Sequence, residues 1–210
     1  MSELARTRMF PLSSVLMPRG VLPLHIFEPR YLAMITEAVA DDGRFGVVLI
    51  ERGWEVGGGD SRFAVGTIAR IAQAAVIEDN RMAVIAVGEE RFDVDEWLGD
   101  DPYPVAMTRT RRGLPPGEAL RAELDEALRS WRRVAALASE LGADVGSADL
   151  ELPTDPEAGA WVLASVSPLE QIDRQRILEA DDPSERVRLL RSGLDEQAET
   201  LEARLAGGLS

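Results

Sequence analysis

The stretch LPLHIFEPRYLAMI, Leu22 to Ile35, decides how the chain begins to fold, because it turns from strand-like to helical in its middle. The Pro23-Leu24 pair delivers a strand, whereas from Tyr31 onward Leu32, Ile35, Ala38 and Val39 follow helical spacing. Between them Glu28 or its neighbour is the expected helix entry, with Pro29 in the first turn, where a missing N–H costs nothing, and a carboxylate near the positive end of the helix dipole. Glu28 and Arg30 flank Pro29 and either hold the turn to the sheet by a local cap or salt bridge or face a ligand. The same stretch holds the only histidine, His25, so every imidazole chemistry open to the chain converges on it.

The rest of the sequence narrows that chemistry. A Ser-His-Asp triad would have to use His25, yet no G-x-S-x-G elbow accompanies Ser13, Ser14 or Ser61, and a zinc site would need carboxylates for its remaining ligands. The alternative is a hydrogen-bonded structural histidine. All 23 basic residues are arginine and there is no lysine, which removes a Walker-type phosphate loop, a Ser-Lys dyad and a Schiff base together. With no cysteine there are no disulfides or thiolate metal sites, and a cytoplasmic location is expected. No apolar run is long enough to span a membrane, and no cofactor is implied.

The net charge of −14 is unevenly spread: residues 1–113 carry 13 Arg against 17 acids, and residues 114–210 carry 10 Arg against 20. That balance opposes long-range attraction to phosphate backbones. The close trio Arg109, Arg111 and Arg112 is the one local basic cluster in the first half, and a nucleic-acid reading would rest on it. Paired acids at Asp41-Asp42, Asp100-Asp101 and Asp181-Asp182 adjoin Gly or Pro and read as caps and solvated turns.

Short β-like segments fill the chain to about residue 112. FGVVLIE (Phe45 to Glu51) is a buried strand, and Phe63 to Trp97 is a pair of long strands around a tight turn at Asp79-Asn80. YPVAMTRTR (Tyr103 to Arg111) is a further strand whose start Pro102 and Pro104 confine to a sheet edge. One helix among these strands suggests a closed or nearly closed mixed barrel. RGLPPGE (Arg112 to Glu118) is read as a linker. Beyond it Leu120, Leu124, Leu128, Trp131, Ala135, Ala138 and Leu141 take helical spacing, ending at Gly142, a candidate left-handed cap. Three later segments, Thr154-Asp-Pro-Glu157, Ser167-Pro-Leu-Glu170 and Asp182-Pro-Ser-Glu185, each read as a capped helix start. The last helix carries Val187, Leu190, Leu194, Leu201 and Leu205 on one face, either packing on the other helices or offering a seam to a partner. The expected class is α+β: a mixed β pseudobarrel over residues 1–113, followed by a bundle of about four helices over 114–210.

Arg52 to Asp60, RGWEVGGGD, holds Trp54 and Val56 among four glycines. A phosphate cradle would need a helix start and a cation immediately after, and strand-like sequence follows instead. Trp54 is either tucked onto the sheet or offered to a partner, which makes Trp54 and Val56 the candidate peptide-binding residues.

These elements together resemble the N-terminal substrate-binding domain of Lon protease, a fold also found in cereblon. Pro11-Leu12, the turn Pro18-Arg19-Gly20, Pro23-Leu24, and the IFE-x-RY element (Ile26, Phe27, Glu28, Arg30, Tyr31) match its opening. Gly66 and Thr67 in VGTIARI, and Gly88, Arg91 and Phe92 in VGEERFDV, are similar to its later strands, and Asp173 to Leu190 is similar to its helical end. The resemblance implies a barrel related to the PUA domain, a helical bundle, and a signature (Pro23, His25, Phe27, Glu28, Arg30, Tyr31, Gly66, Thr67, Gly88, Arg91, Phe92) that is architectural. It also implies binding of polypeptide substrates or unfolded proteins, without catalysis, as a stand-alone adaptor to a cytoplasmic protease, because 210 residues leave no room for the ATPase and peptidase parts. Two rival readings stay open: an RNA-binding barrel, and a small-molecule hydrolase built on His25. The oligomeric state is left open.

Overall fold

In a computed structural model of the chain, residues 4–52, 61–77, 81–143 and 150–207 are described. They divide into two compact units, Met1–Arg112 and Gly113–Ser210. The first contains β1 (Leu4–Leu12), β2 (Val21–Ile26), α1 (Pro29–Ala40), β3 (Arg44–Arg52), β4 (Ser61–Ile77), β5 (Arg81–Gly99) and β6 (Val105–Thr110). The second contains α2 (Leu120–Glu140), α3 (Pro156–Val166), α4 (Gln171–Glu179) and α5 (Pro183–Gly207). The architecture is thus α+β, with a mixed sheet followed by helices.

The sheet runs β2-β5-β4-β3-β1-β6, and β6 pairs again with β5. The strands β5, β4, β3, β1 and β6 therefore close on themselves, and β2 lies outside the ring against the first part of β5. Only the β1–β3 ladder is parallel, Met9 facing Gly46 and Phe10 facing Val47, and α1 lies in the connection between those strands. Closure corrects one expectation: β6 is not an edge strand, since it pairs with β1 on one side and β5 on the other. Pro102 and Pro104 precede its ladder, where no strand pairing asks them for an N–H, and the Pro104 carbonyl accepts from Met9 N at 2.8 Å.

The interior explains the glycines. Phe92 is buried in a small core with Met9, Val48 and Ala106. A Cβ on Gly66 would sit 2.3 Å from the Val47 carbonyl and 2.6 Å from Phe92 Cζ, and one on Gly46 would sit 2.7 Å from Met9 Sδ. Both positions are emptied so that the ring can fit. A larger core joins Phe10, Leu12, Tyr31, Met34, Ile35, Phe45 and Val84, and so fixes α1 to the sheet. Phe10 and Tyr31 stack with centroids 4.2 Å apart.

A third close approach lies at Gly88. The chain after β1 makes a turn at Met17–Gly20, closed by Gly20 N donating to Met17 O at 2.9 Å, with Pro18 second and Arg19 third at φ 65°. Those are the positions and backbone of a type II turn, except that arginine occupies the left-handed place usually given to glycine. The turn is bound to β5 in both directions: Arg19 N donates to Gly88 O at 2.7 Å, and Gly88 N donates to Gly20 O at 2.9 Å. From β4 the buried Thr67 Oγ1 donates to Leu16 O at 2.6 Å. A Cβ on Gly88 would lie 2.2 Å from the Met17 carbonyl oxygen, so only glycine lets the two backbones meet.

In the helical unit α2 packs on α5, burying Leu120, Leu124, Trp131 and Ala138 from one helix and Val187, Leu190, Leu194 and Leu201 from the other. The apolar face of α5 is occupied by that packing. Gly142, at φ 75°, ends α2 with paired bonds from Gly142 N to Ser139 O and from Ala143 N to Ala138 O, a Schellman cap. The helix starts follow the sequence unevenly. Asp182 accepts from Ser184 N at 3.0 Å, but α3 is capped by Asp155, accepting from Ala158 N at 2.9 Å, and not by Thr154. Ser167 does not start α4: it closes α3, its hydroxyl donating back to Leu163 O at 2.7 Å, and α4 begins at Gln171. The freed carbonyls at that end are satisfied by the Arg174 guanidinium, which donates to Ala164 O at 3.2 Å and Ser167 O at 2.9 Å. Burial lowers the Arg174 pKa from its usual value.

Gly88→Ala is expected to cost at least about 2 kcal/mol, because the added methyl meets backbone and not a movable side chain. Gly117→Ala, where a Cβ meets nothing within 4 Å, should change stability by less than about 0.5 kcal/mol. Urea unfolding of the two variants checks this, and equal midpoints would contradict it.

Candidate functional site

The motif around His25 forms a junction, not a ligand cleft. Glu28 is the N-cap of α1 with extended backbone and makes no side-chain cap bond, because its carboxylate instead accepts from Arg30 Nε at 3.1 Å. The Arg30 guanidinium carbon lies 4.6 Å from the Tyr31 ring centre, and both charged side chains are about four-fifths buried. Pro29 takes the first helical position, where no amide bond is lost. His25, Phe27, Glu28 and Tyr31 border a pocket of about 110 Å³, well below the roughly 300–1,000 Å³ of ligand sites. His25 is exposed on β2, opposite Ala83, and Phe27 is 60% exposed, so these two signature residues are not held in the core. Pro23 is likewise exposed on β2, opposite Ile85.

The remaining signature residues stand together in the ladder between β4 and β5, with Gly66 opposite Phe92 and Thr67 opposite Arg91. Arg91 is 4% exposed. Gly66, Thr67, Gly88 and Phe92 make the close approaches described above, and Phe92 also borders a pocket of about 160 Å³ with Thr7, Arg8, Ile68 and Thr108, again below the size of ligand sites. Trp54 and Val56 lie outside the described residues. Of the basic trio, two are ion-paired, Arg109 donating to Asp95 at 2.7 Å and Arg111 to Asp93 at 2.6 Å, and Arg112 is exposed. Among the described residues no group of three or more His, Cys, Asp or Glu could hold a metal ion, and no helix is long and apolar enough to cross a membrane.

The sheet offers a feature that motif reading missed. β2, β5 and the second half of β4 extend as a three-stranded wing beyond the ring. On β4, the ladder with β3 ends at Arg70, Ile71 N donates to Gly43 O at 2.8 Å, and from Ala72 to Ile77 the described pairings are with β5 alone. All six of these residues are exposed, Val76 by 74%. A groove of about 390 Å³ runs between this end of the wing and α1, lined by Leu32, Ala33, Thr36 and Glu37 on the helix and Val76, Arg81 and Met82 on the sheet. Glu37 is fixed at the groove by accepting a hydrogen bond from the Tyr103 hydroxyl. Burial, then that bond to Glu37, raises the Tyr103 pKa above its usual value, so the phenol keeps its proton and remains the donor. The available sequence signal was negative: Ile71-Ala-Gln-Ala-Ala-Val-Ile77 contains no charged residue in a chain that is 29% charged.

With this geometry the comparisons with known proteins are informative. The model of the ATP-dependent protease La (LON) substrate-binding domain matches residues 6–196. Lon protease 2 of Herpetosiphon aurantiacus is 30% identical over 196 residues, covering 91% of this chain and 24% of that protein, and Lon protease 2 of Sorangium cellulosum is 30% identical over 201 residues, covering 91% and 24%. In fold, the chain is similar to the Lon N-terminal domain protein from Xanthomonas campestris, with a TM-score of 0.60, 24% identity, and 90% of this chain and 98% of that one covered. It is similar also to the N-terminal domain of Mycobacterium avium complex Lon protease, with a TM-score of 0.65, 20% identity and the same coverage. The class defined is a Lon-type mixed sheet with a helical C-terminal unit. The chain belongs to the family of Lon substrate-binding domains, and spans about a quarter of the length of the curated relatives it matches.

If Glu28 and Arg30 lock the strand-to-helix turn, Arg30→Ala lowers stability by about 0.5–1 kcal/mol, and a Glu28→Gln/Arg30→Ala double-mutant cycle shows coupling of that order. Thermal melts read it, and an unchanged melting temperature would contradict the lock.

Proposed function

We propose that this chain is a polypeptide-binding module that recognises unfolded or extended segments and does no bond-breaking chemistry itself. The observation that carries this reading is the wing: a backbone edge that offers main-chain partners, beside a groove lined by Leu32, Ala33, Val76 and Met82 with Thr36, Glu37 and Arg81. The family supports it, since the matching model is described as a substrate-binding domain. The absence of lysine from the 210 residues supports it too, because a Ser-Lys peptidase pair cannot be assembled from them. In this reading the chain hands its clients to a cytoplasmic protease, and the barrel's relation to the PUA fold is architectural. RNA binding is disfavoured by the net charge of −14 and by the ion pairs of Arg109 and Arg111.

Titrating the chain into fluorescein-labelled, reduced and carboxymethylated lactalbumin should give a Kd on the order of micromolar, about −8 kcal/mol, with the probe recovered uncleaved. Affinity weaker than about millimolar, or cleavage of the probe, would contradict the reading.

A further inference from the structure

The chain has two strand edges of opposite character. β2 is the outer strand on one side of the wing, and Pro23 in its middle removes a backbone donor there. The segment Ala72–Ile77 of β4 is the edge on the other side, and among the described residues no further strand pairs with it. It has no proline and no charge, and after the irregularity at Ile71/Gln73 its register with β5 runs unbroken from Gln73 opposite Ile85 to Ile77 opposite Arg81. An edge of this kind is a template for another strand, and natural sheets blunt such edges unless they use them.

The pleat fixes which side chains an added strand would meet. Buried Val84 stands opposite Ala74, and Met82 opposite Val76, so Ala74 and Val76 are on the core side, toward the groove and α1. Gln73, Ala75 and Ile77 are on the outer side, in rows with Ile85, Ala83 and Arg81. A strand laid along the edge would send every second side chain over the groove between Val76, Met82 and the Leu32–Ala33–Thr36 wall of α1. Its other side chains would join the outer face.

From this we propose that the β4 edge at Ala72–Ile77 binds its client by β-strand addition: an extended polypeptide segment supplies a further strand, with alternate apolar side chains seated over the groove against α1. This rests on the polypeptide-binding reading above and specifies its mode and site. The occupant is an extended peptide because a row of main-chain donors and acceptors is matched in register only by another main chain, and the uncharged edge selects stretches without charge. A second copy of this chain is the weaker occupant, since pairing would bring together two molecules of net charge −14. Selectivity comes from alternation. A run of apolar residues at every second position fits against Val76, Met82 and Leu32, while Glu37 and Arg81 stand in the same groove lining.

The test uses the intact chain, the carboxymethylated lactalbumin probe, and a ten-residue peptide of alternating Val and Thr. Two further versions of the peptide are N-methylated at every Val amide or at every Thr amide. Binding of the unmethylated peptide is expected, with about a tenfold or greater loss for one methylated version and little change for the other, since a strand pairs along one side only. Val76→Arg, at an exposed position, should lower peptide and lactalbumin affinity about tenfold with an unchanged melting temperature, and Ala74→Arg should do the same. If lactalbumin binds but neither Arg variant nor either methylation weakens binding, strand addition here is overturned and polypeptide binding stands. If lactalbumin does not bind at all, both fall. A dimer in sedimentation that Val76→Arg dissociates would assign the edge to a second copy and overturn the client proposal.

Discussion

The Met17–Gly20 turn is held on the sheet by two opposed backbone hydrogen bonds to Gly88 and by the buried Thr67 hydroxyl on Leu16 O, and the N-terminal unit depends on this contact. It follows β1 and aims the chain so that β2 runs along the first part of β5, Val21 opposite Val87 and Ile26 opposite Met82. With β2 fixed there, Ile26 enters the core and Glu28–Arg30 closes the turn into α1. Tyr31, Met34 and Ile35 then fall onto Phe10 and Phe45. The contact works only because residue 88 has no Cβ, so one missing methyl group determines where a strand and a helix can go. Gly46 and Gly66 do the same for Phe92 inside the ring.

Much of this was legible in the chain and some was not, for definite reasons. β3 and the long β4–β5 pair follow from local apolar and β-branched runs, and α2 and α5 from their apolar stripes, because those signals lie within a few residues of one another. The end of α2 was legible at Gly142, since a left-handed cap is local chemistry. Ser167-Pro168 was misleading because serine bonds equally well forward to a helix start or back to a helix end, and only the packing of α3 selects the second. A closed barrel was legible, but the particular pairing of β6 with β1 was hidden because it joins residues about a hundred apart in sequence, such as Leu4 and Arg109.

The candidate site was less legible than the fold. The motif singles out His25, Glu28 and Arg30, yet His25 and Glu28 border a space too small for a ligand, and Glu28 and Arg30 secure a turn. The exposed edge of β4 carries no motif. It exists because β3 begins at Arg44 while β4 runs on past Arg70 to Ile77, a mismatch in strand length visible only once the two are paired. What the sequence contributed there was the lack of charge between Arg70 and Glu78, which becomes meaningful when the edge is known to be open. Gly66, Thr67, Gly88, Phe92 and the Glu28–Arg30 turn build the ring and its junction to α1, and on the proposal above the binding surface is separate from them, the length of strand left over.

That separation is tested most directly by amide hydrogen exchange of the chain with and without saturating carboxymethylated lactalbumin. The amides of Arg19, Gly20 and Gly88 should exchange slowly in both samples, while the outward amides of Ala72–Ile77 exchange fast in the free chain and become protected when the polypeptide is added. New protection confined to Leu22–Tyr31, with Ala72–Ile77 unchanged, would contradict the assignment of one region to architecture and the other to binding.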